Sequence, residues 1–338
     1  MDRATWKWLL ISVAFSIVVL AIVLLFTIND QTIYSLQKIN PLFLALAFIA
    51  HLLTLCFWAW RVQMMSGSLG YRVGFFYSLN LVFANLLVAA VTPSQAGGEP
   101  VRIHELYKAN VPLGDATAIV IMERVLDGIV LVILAAFAML ALNREWKSIG
   151  VTSGIIMYVT AIFITGCFVL FIVFATRPHI LKSAMIRGAR FFTKHWDSAR
   201  FDEVAVRINQ EVDNFHGALK KFVHSAKGGV LWGLLFTMLY WVSECVTASL
   251  ILVGLGQPPL IFESFVINLI LAILMMIPLT PGSSGIAEVG ATSMYALFIP
   301  SSILGIFVVI WRLVLYYFNI ALGIISSVLI VQREATAK

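Results

Sequence analysis

The chain has 338 residues, of which 61% are hydrophobic and 12% are charged, and its mean hydropathy is +0.96. These values exclude a soluble globular protein and indicate a polytopic membrane protein. The net charge of +6 does not predict nucleic-acid binding, because ten of the 23 Lys and Arg residues lie within 177–227, mixed with five acidic residues.

Six apolar runs are long enough to cross a bilayer, which requires about 20 residues of helix. The first run is too long for a signal peptide and lacks a small-x-small cleavage site, so we expect it to remain as a helix. The six runs cover about 8–28, 41–60, 118–142, 151–175, 229–253 and 301–328.

The Lys and Arg residues orient these spans, because loops rich in them stay in the cytoplasm. Arg3 and Lys7 predict a cytoplasmic N-terminus, and Arg333 and Lys338 predict a cytoplasmic C-terminus. Six crossings join two termini on the same side. We therefore expect a multi-pass protein of the cell (plasma) membrane, with the segment 177–227 in the cytoplasm.

The apolar pattern is first interrupted after residues 74–91, because residues 92–117 are too polar to cross lipid. If 74–91 crossed completely, the next span would place the basic segment 177–227 outside, against the charge distribution. We therefore predict a re-entrant hairpin, in which the chain enters from the cytoplasm, turns at Thr92-Pro93 and returns through a short helix near 99–109.

The turn after Thr92 has the features of an anion site. Gly97 and Gly98 allow close approach of the backbone. The helix that follows, which carries Arg102, begins with free N–H groups and the positive end of its dipole. Alternatively, Glu99 here and Glu288 after the second turn only cap their helices, as acidic residues in a first turn do.

Charged residues also lie inside the apolar run 118–142, where each costs about 2.5–3.5 kcal/mol at the membrane centre. Glu123 and Asp127 share one helix face, and Asp127 is within reach of Arg124. These residues either bind substrate or form an ion-paired cluster that holds helices together near the cytoplasmic end.

The cytoplasmic insert has the three- and four-residue spacing of an amphipathic helix. We expect this helix either to lie on the membrane surface or to pack on the bundle. Its apolar positions are Phe201, Val204, Ile208, Val212, Phe215, Leu219 and Phe222.

Two further polar residues lie in apolar runs. Glu244 is the lone acid of the run 229–253 and either pairs with an arginine or titrates as a coupling group. His51 in the run 41–60 is expected to be a hydrogen-bonded core residue.

A second stretch repeats the first at a constant offset of 188 positions, without a gap. Asn80 and Thr92 in the first stretch correspond to Asn268 and Thr280 in the second, and Arg124 corresponds to Arg312. Residues 262–300 are therefore predicted to form a hairpin that enters from the opposite face. In inverted repeats the substrate site commonly lies at mid-membrane, where helices are discontinuous.

The fold class predicted from these patterns is an all-α polytopic membrane protein with six full transmembrane helices and two re-entrant helical hairpins in inverted pseudo-repeats. Residues 1–338 form a single membrane domain. Its parts are a first repeat at about 41–142, a second repeat at about 229–328 and the cytoplasmic insert at about 177–227.

The candidate site combines both turns with the intramembrane charges. Arg312 has no carboxylate close in sequence, which makes it the stronger candidate for a phosphate that arginine binds in a bidentate manner. The predicted substrate-binding residues are Arg102, Arg124, Arg312, Gly97, Gly98, Gly282, Gly285, Thr92 and Thr280. Coupling or counter-charge roles are predicted for Glu99, Glu123, Asp127, Glu244 and Glu288.

No cofactor, metal site or enzymatic activity is predicted. The sequence has no phosphate loop and no H-E-x-x-H or G-x-S-x-G motif. Cys56, Cys167 and Cys245 lie far apart without a C-x-x-C pair, which favours neither a zinc site nor a disulfide framework.

The motifs resemble the membrane domain of the lysylphosphatidylglycerol synthase/flippase family over about 8–328. In the full-length synthases this domain is similar to a lipid flippase and precedes a soluble aminoacyl-transferase domain, which residues 1–338 do not include. The chain differs at the second turn, where it has Ser283, Ser284 and Ala287. The resembling segments are Pro93, Gly97-Gly98-Glu99-Pro100-x-Arg102, Glu123-Arg124-x-x-Asp127 and Pro281-Gly282-x-x-Gly285-x-x-Glu288.

These observations predict a lipid translocase that moves a phospholipid or polyprenyl-phosphate-type lipid through a polar path between the hairpins. Its partners would be membrane lipids with an anionic or zwitterionic headgroup, and either a second copy of the chain or a lipid-modifying enzyme, but not nucleic acid. The alternatives are an accessory scaffold for a lipid- or glycan-modifying enzyme, docked through the insert, and a secondary solute transporter.

Overall fold

The computed structural model describes residues 3–27, 39–92, 97–141, 176–192, 198–224, 226–275 and 282–336, with a few single positions between them. Every regular element in these ranges is a helix, which confirms the predicted all-α class. A π-helical segment, Leu313–Tyr317, joins the last two helices. In chain order the helices are α1 (Arg3–Thr27), α2 (Pro41–Ser68), α3 (Phe75–Val91), α4 (Gly98–Lys108), α5 (Leu113–Ala141), α6 (Pro178–Phe192), α7 (Ser198–His224), α8 (Lys227–Gly254), α9 (Ile261–Leu274), α10 (Ile286–Tyr295), α11 (Ser301–Arg312) and α12 (Phe318–Thr336).

Three helices in the described ranges are long and apolar enough to cross a membrane, namely Pro41–Ser68, Lys227–Gly254 and the continuous Ser301–Ile330. They correspond to three of the six predicted spans. The predicted spans 8–28 and 118–142 fall on α1 and α5, which are single helices of 25 and 29 residues. The predicted span 151–175 lies outside the described residues, apart from isolated positions.

Local sequence signals set the ends of α2. Asn40 caps its first turn by accepting a hydrogen bond from the Leu42 N–H at 3.1 Å, and Pro41 occupies the first turn, where no N–H is needed. At the other end, Gly70 has a φ of +95°, a conformation that favours glycine and ends the helix.

Two apolar cores hold the helices together. The first joins α2, α3, α5 and α7 around Leu55, Leu81 and Ile119. The second joins α8, α10 and α11 around Ile251 and Phe307. The long contact between α2 and α8 connects the two cores.

The amphipathic helix of the insert packs on the bundle, which settles one alternative left open by the sequence. Val212, Phe215, Leu219 and Phe222 of α7 are buried, and the last three belong to the first core. α6 contacts α7 through an ion pair between Lys182 and Asp213 at 2.6 Å.

A polar contact joins the α2–α3 loop to the start of α5, next to α7. The hydroxyl of Tyr71 donates a hydrogen bond to Asp115, which Lys221 of α7 approaches to 3.9 Å. Burial, together with this carboxylate, raises the pKa of Tyr71 to about 12. The phenol therefore keeps its proton at neutral pH and remains the donor.

Gly323 is predicted to be essential for the contact between α12 and α3. A Cβ there would lie 2.8 Å from the Phe83 carbonyl oxygen and 2.5 Å from the Leu87 Cβ, so Gly323→Ala should push the helices apart. We expect a loss of about 1–3 kcal/mol in the free energy of unfolding, measured in detergent micelles.

The matched control is Gly128→Ala on α5, where a Cβ would meet nothing within 4 Å. That variant should be neutral or more stable by up to about 1 kcal/mol, because alanine favours the helix. Equal stability of Gly323→Ala and Gly128→Ala would contradict the close contact.

Candidate functional site

The two interrupted apolar segments meet at their turns. The backbone N–H of Gly282 donates a hydrogen bond to the Thr92 carbonyl oxygen at 3.0 Å. Gly282 has a φ of +58°, and a Cβ there would lie 2.5 Å from the Ala90 carbonyl oxygen. Both the backbone conformation and the close approach therefore require glycine.

The first turn lies between α3 and α4, close to the predicted position. The Thr92 hydroxyl accepts a hydrogen bond from the Gly97 N–H at 3.0 Å and donates to the Val88 carbonyl at 3.0 Å. A Cβ on Gly98 would collide with Asn85, so α4 starts directly against α3. Thr92, Gly97 and Gly98 thus shape the turn through their own contacts.

The second turn lies between α9 and α10. The Thr280 hydroxyl donates to the Ser284 carbonyl at 2.6 Å, and the Ser283 hydroxyl donates to the Met275 carbonyl at 2.8 Å. The Gly285 N–H donates to Oε2 of Glu288 at 2.6 Å, so Glu288 caps α10, as the capping alternative expects for an acid in a first turn.

Buried charges beside the first turn form what we call the first charge cluster: Arg61, Arg102, Glu123 and Asp127. Arg61 of α2 donates from Nε to Glu123 Oε1 at 2.8 Å and from Nη1 to Asp127 Oδ1 at 2.6 Å. It also contacts Thr237 of α8 at 3.0 Å. Two guanidinium groups and two carboxylates balance in charge, as burial requires.

Arg61 is not among the site residues predicted from the sequence. The predicted apolar run ends at residue 60, one position before this arginine. The helix continues to Ser68, and Arg61 is 1% exposed. The overlooked signal was the apolar stretch that follows, because Val62 and Met65 are also buried.

Arg102 is the least satisfied member of the first charge cluster. It is fully buried and pairs with Glu123 through Nη2. Its Nε and Nη1 atoms have no hydrogen-bond partner among the described residues. The guanidinium lies 5.2 Å from the ring centroid of Trp58, an attractive cation–π arrangement.

Arg124 lies at the exposed edge of the first charge cluster. Its Nη1 atom donates to Asp127 at 3.2 Å, which is the contact predicted from the sequence. Its Nε atom lies 3.3 Å from Oε1 of Glu99, in the first turn of α4. Because the Arg124 and Glu99 side chains are 48% and 40% exposed, an approaching anion can reach this guanidinium.

The second charge cluster consists of Glu288, Arg312, Ser16 and Ser284. Arg312 contacts Oε1 of Glu288 from both Nε and Nη2 at 2.8 Å, and Ser284 at 3.3 Å. Ser16 of α1 donates to Glu288 at 2.5 Å. Arg312 has no carboxylate close in sequence, but packing brings Glu288 of α10 against it.

The two halves build similar acid–arginine pairs. In each half, an acid from the first turn of the short helix pairs with an arginine of the following long helix: Glu99 with Arg124, and Glu288 with Arg312. The second pair is almost completely buried, at 0% and 5% exposure, and α1 lies over it. The first pair is therefore accessible from outside the protein, whereas the second pair is buried.

Glu244 pairs with a histidine rather than with any arginine of the described residues. Its Oε2 atom lies 3.5 Å from Nδ1 of His51, and the other ring nitrogen of His51 is hydrogen-bonded to Asn319. His51 is thus the hydrogen-bonded core residue that the sequence predicts. No group of three or more metal-ligating side chains was found among the residues that the structure describes.

Gly282→Ala is predicted to break the contact between the turns. Alanine at a positive φ is strained by about 1–2 kcal/mol, and here it also collides with the Ala90 carbonyl. Gly256→Ala is the matched control, because Gly256 has a φ of +72° and open space around it.

Thermal unfolding should therefore show a larger loss for Gly282→Ala than for Gly256→Ala, by about 1–3 kcal/mol for the added overlap. Identical melting curves for the two variants would mean that the turns do not touch.

Arg312 and Glu288 are predicted to depend on each other. Removing one partner leaves a buried unpaired charge, so Arg312→Gln or Glu288→Gln alone should cost about 3–5 kcal/mol of unfolding free energy. The double variant should cost less than the sum of the two.

The control cycle uses Lys182→Gln and Asp213→Asn, because Asp213 is 62% exposed and such pairs contribute about 0–1 kcal/mol. Losses that simply add in the Arg312–Glu288 cycle would exclude the proposed dependence.

Comparison with known proteins identifies the family. The lysylphosphatidylglycerol synthase TM region matches residues 9–323. A UPF0104 membrane protein of Archaeoglobus fulgidus is 33% identical over 323 residues, which cover 94% of this chain and 95% of the relative. A UPF0104 membrane protein of Methanocaldococcus jannaschii is 26% identical over 333 residues, covering 98% and 96%. The chain therefore belongs to the lysylphosphatidylglycerol synthase TM-region family and is an integral multi-pass membrane protein.

Proposed function

We propose that this protein is a lipid translocase of the plasma membrane, with cytoplasmic termini and without aminoacyl-transferase activity. In this proposal the α3–α4 and α9–α10 pairs are re-entrant hairpins that enter from opposite faces, in inverted repeats. A phosphate-bearing headgroup, of a phospholipid or a polyprenyl-phosphate-type lipid, passes between them while its chains remain in the bilayer.

The observation that carries the proposal is the contact between the two turns beside buried arginines. Interrupted helices at membrane depth are tolerated only where they are buried in protein or line a polar cavity. The hydrogen bond from Gly282 to Thr92 brings both interruptions together. Discontinuous helices that meet in this way commonly form transporter substrate sites.

The charges support a phosphate ligand. Arginine binds phosphate in a bidentate manner, and the two unpartnered nitrogens of Arg102 provide donors that the first charge cluster leaves unused. Arg124 at the edge of the cluster is the first guanidinium that a headgroup meets. Because α1 covers the second charge cluster, the headgroup would reach this cluster only after α1 moves.

The scaffold alternative has less support than it had from the sequence. A docking surface on α7 would need a free apolar face, and Phe215, Leu219 and Phe222 use that face to pack on the bundle. A solute transporter requires a cavity closed to lipid, whereas Arg124 and Glu99 lie at an exposed edge.

Arg124→Gln is predicted to slow lipid transport without unfolding the protein. Removing a charge-assisted hydrogen bond costs about 1.5–3 kcal/mol, which lowers a rate about ten- to a hundredfold. The measurement is quenching of fluorescent phosphatidylglycerol in proteoliposomes of phosphatidylcholine and phosphatidylglycerol.

Arg207→Gln is the matched control, because Arg207 is an exposed arginine on α7. Lipid movement in wild-type proteoliposomes no faster than in protein-free liposomes would refute the translocase. A wild-type rate for Arg124→Gln would refute the headgroup site.

A further inference from the structure

A buried histidine and a glutamate lie outside both charge clusters, between α2, α8 and α12. His51 is 3% exposed, and its Nδ1 atom lies 3.5 Å from Oε2 of Glu244. Its Nε2 atom lies 2.9 Å from Oδ1 of Asn319. Phe318 packs edge-on against the imidazole at a centroid distance of 6.5 Å.

Asn319 determines which nitrogen of His51 carries a proton. Its Nδ2–H donates to the Leu315 carbonyl at 2.6 Å, so its oxygen is the atom that faces His51. An amide oxygen only accepts hydrogen bonds, and Nε2 of His51 must therefore be the donor. In a neutral imidazole, Nδ1 is then an unprotonated acceptor.

In this arrangement two hydrogen-bond acceptors face each other. Nδ1 of His51 faces a carboxylate oxygen of Glu244, and neither atom has a hydrogen-bond partner within the described part of the chain. Two unpaired acceptors in a buried place are unfavourable, and one proton between them satisfies both. We propose that His51 and Glu244 form a proton-binding site that shares one proton between Nδ1 and Oε2.

The charge of the His51–Glu244 pair depends on this proton, because the surrounding titratable groups are neutral or paired elsewhere. On α8, Tyr240 and Cys245 are the titratable side chains whose charge would act on Glu244, and both are neutral in their protonated forms. Arg61 of α2 is engaged by the first charge cluster, and Arg312 by Glu288. The pair is neutral with the proton and carries one negative charge without it.

Asn319 connects the proton site to the second charge cluster. The Leu315 carbonyl that accepts its Nδ2–H lies in the π-helical segment directly after Arg312. Such segments are frequent at functional sites. Loss of the proton leaves the hydrogen bond from Nε2 to Asn319 in place, but Nδ1 and the Glu244 carboxylate then face each other as two acceptors and repel. A shift of the imidazole away from Glu244 would act through Asn319 on the backbone that carries Arg312.

Proton binding would thus be coupled to the exposure of Arg312 and to transport. The coupling rests on the proposed lipid translocation, whereas the proton site does not. The two parts need separate measurements.

The first measurement is nitrogen NMR of isotope-labelled histidine in the full-length protein. The chain has six histidines, and His51→Gln identifies the His51 signal, or replacement of the other five does so if that variant fails to fold. We expect Nδ1 at neutral pH to be protonated or hydrogen-bonded, with one titration step that Glu244→Gln abolishes or displaces.

Two outcomes would overturn the proton site. One is an Nδ1 signal of a free lone pair that is the same in wild type and in Glu244→Gln. The other is a signal that sodium shifts at constant pH, which would mean that the pair binds a metal cation instead.

The second measurement is lipid transport in proteoliposomes with an imposed pH difference. The wild-type rate should change about fivefold or more with the direction of the gradient, and His51→Gln should lose this response. His224→Gln is the control, because this histidine is exposed on α7. A wild-type rate that ignores the gradient refutes the coupling, whereas a titrating His51 without any lipid movement refutes only the translocase.

Discussion

A guanidinium group cannot be buried without a nearby counter-charge, and this constraint fixes the relative positions of the helices. Arg61 on α2 reaches two carboxylates on α5 and a hydroxyl on α8. Arg312 on α11 reaches Glu288 on α10, which in turn binds Ser16 on α1. Because each contact crosses between helices, the pairing of charges and the packing of the bundle are satisfied by the same arrangement.

Stability alone does not account for these charges. Replacing a buried ion pair by apolar residues of similar volume is often neutral or stabilising. Among the described residues, two nitrogens of Arg102 also have no hydrogen-bond partner, a cost that a purely structural cluster would avoid. These unused N–H donors fit a ligand that binds to the cluster during part of a transport cycle.

The sequence predicted the features that depend on local composition. The interruptions after Val91 and before Gly285 follow from proline and glycine in apolar segments, and the contact of Arg124 with Asp127 follows from helical spacing. The partners of Arg312 and Glu244 were not predictable in this way. His51 and Glu244 are 193 positions apart, and only the packing of α2 on α8 brings them together.

Hydropathy marks the most apolar part of a helix, but neither its full length nor the direction of its faces. Arg61 illustrates this limit, because a window that ended at residue 60 missed a helix that continues to Ser68. The constant offset of 188 positions aligns Arg124 with Arg312 in the sequence. The offset does not show that one of them is half-exposed and the other buried, since that difference comes from an element outside both predicted repeats.

That element is α1, which packs on the helices that carry Glu288 and Arg312. Its Ser16 hydroxyl bridges Glu288 and the Tyr317 hydroxyl, and Phe15 fills the space beside Gly285. The two ends of the proposed lipid route are therefore chemically unlike, even though the sequences around Thr92 and Thr280 resemble each other. A cycle that exposes Arg312 must detach this N-terminal helix, so the two ends of the proposed route would open at different free-energy cost.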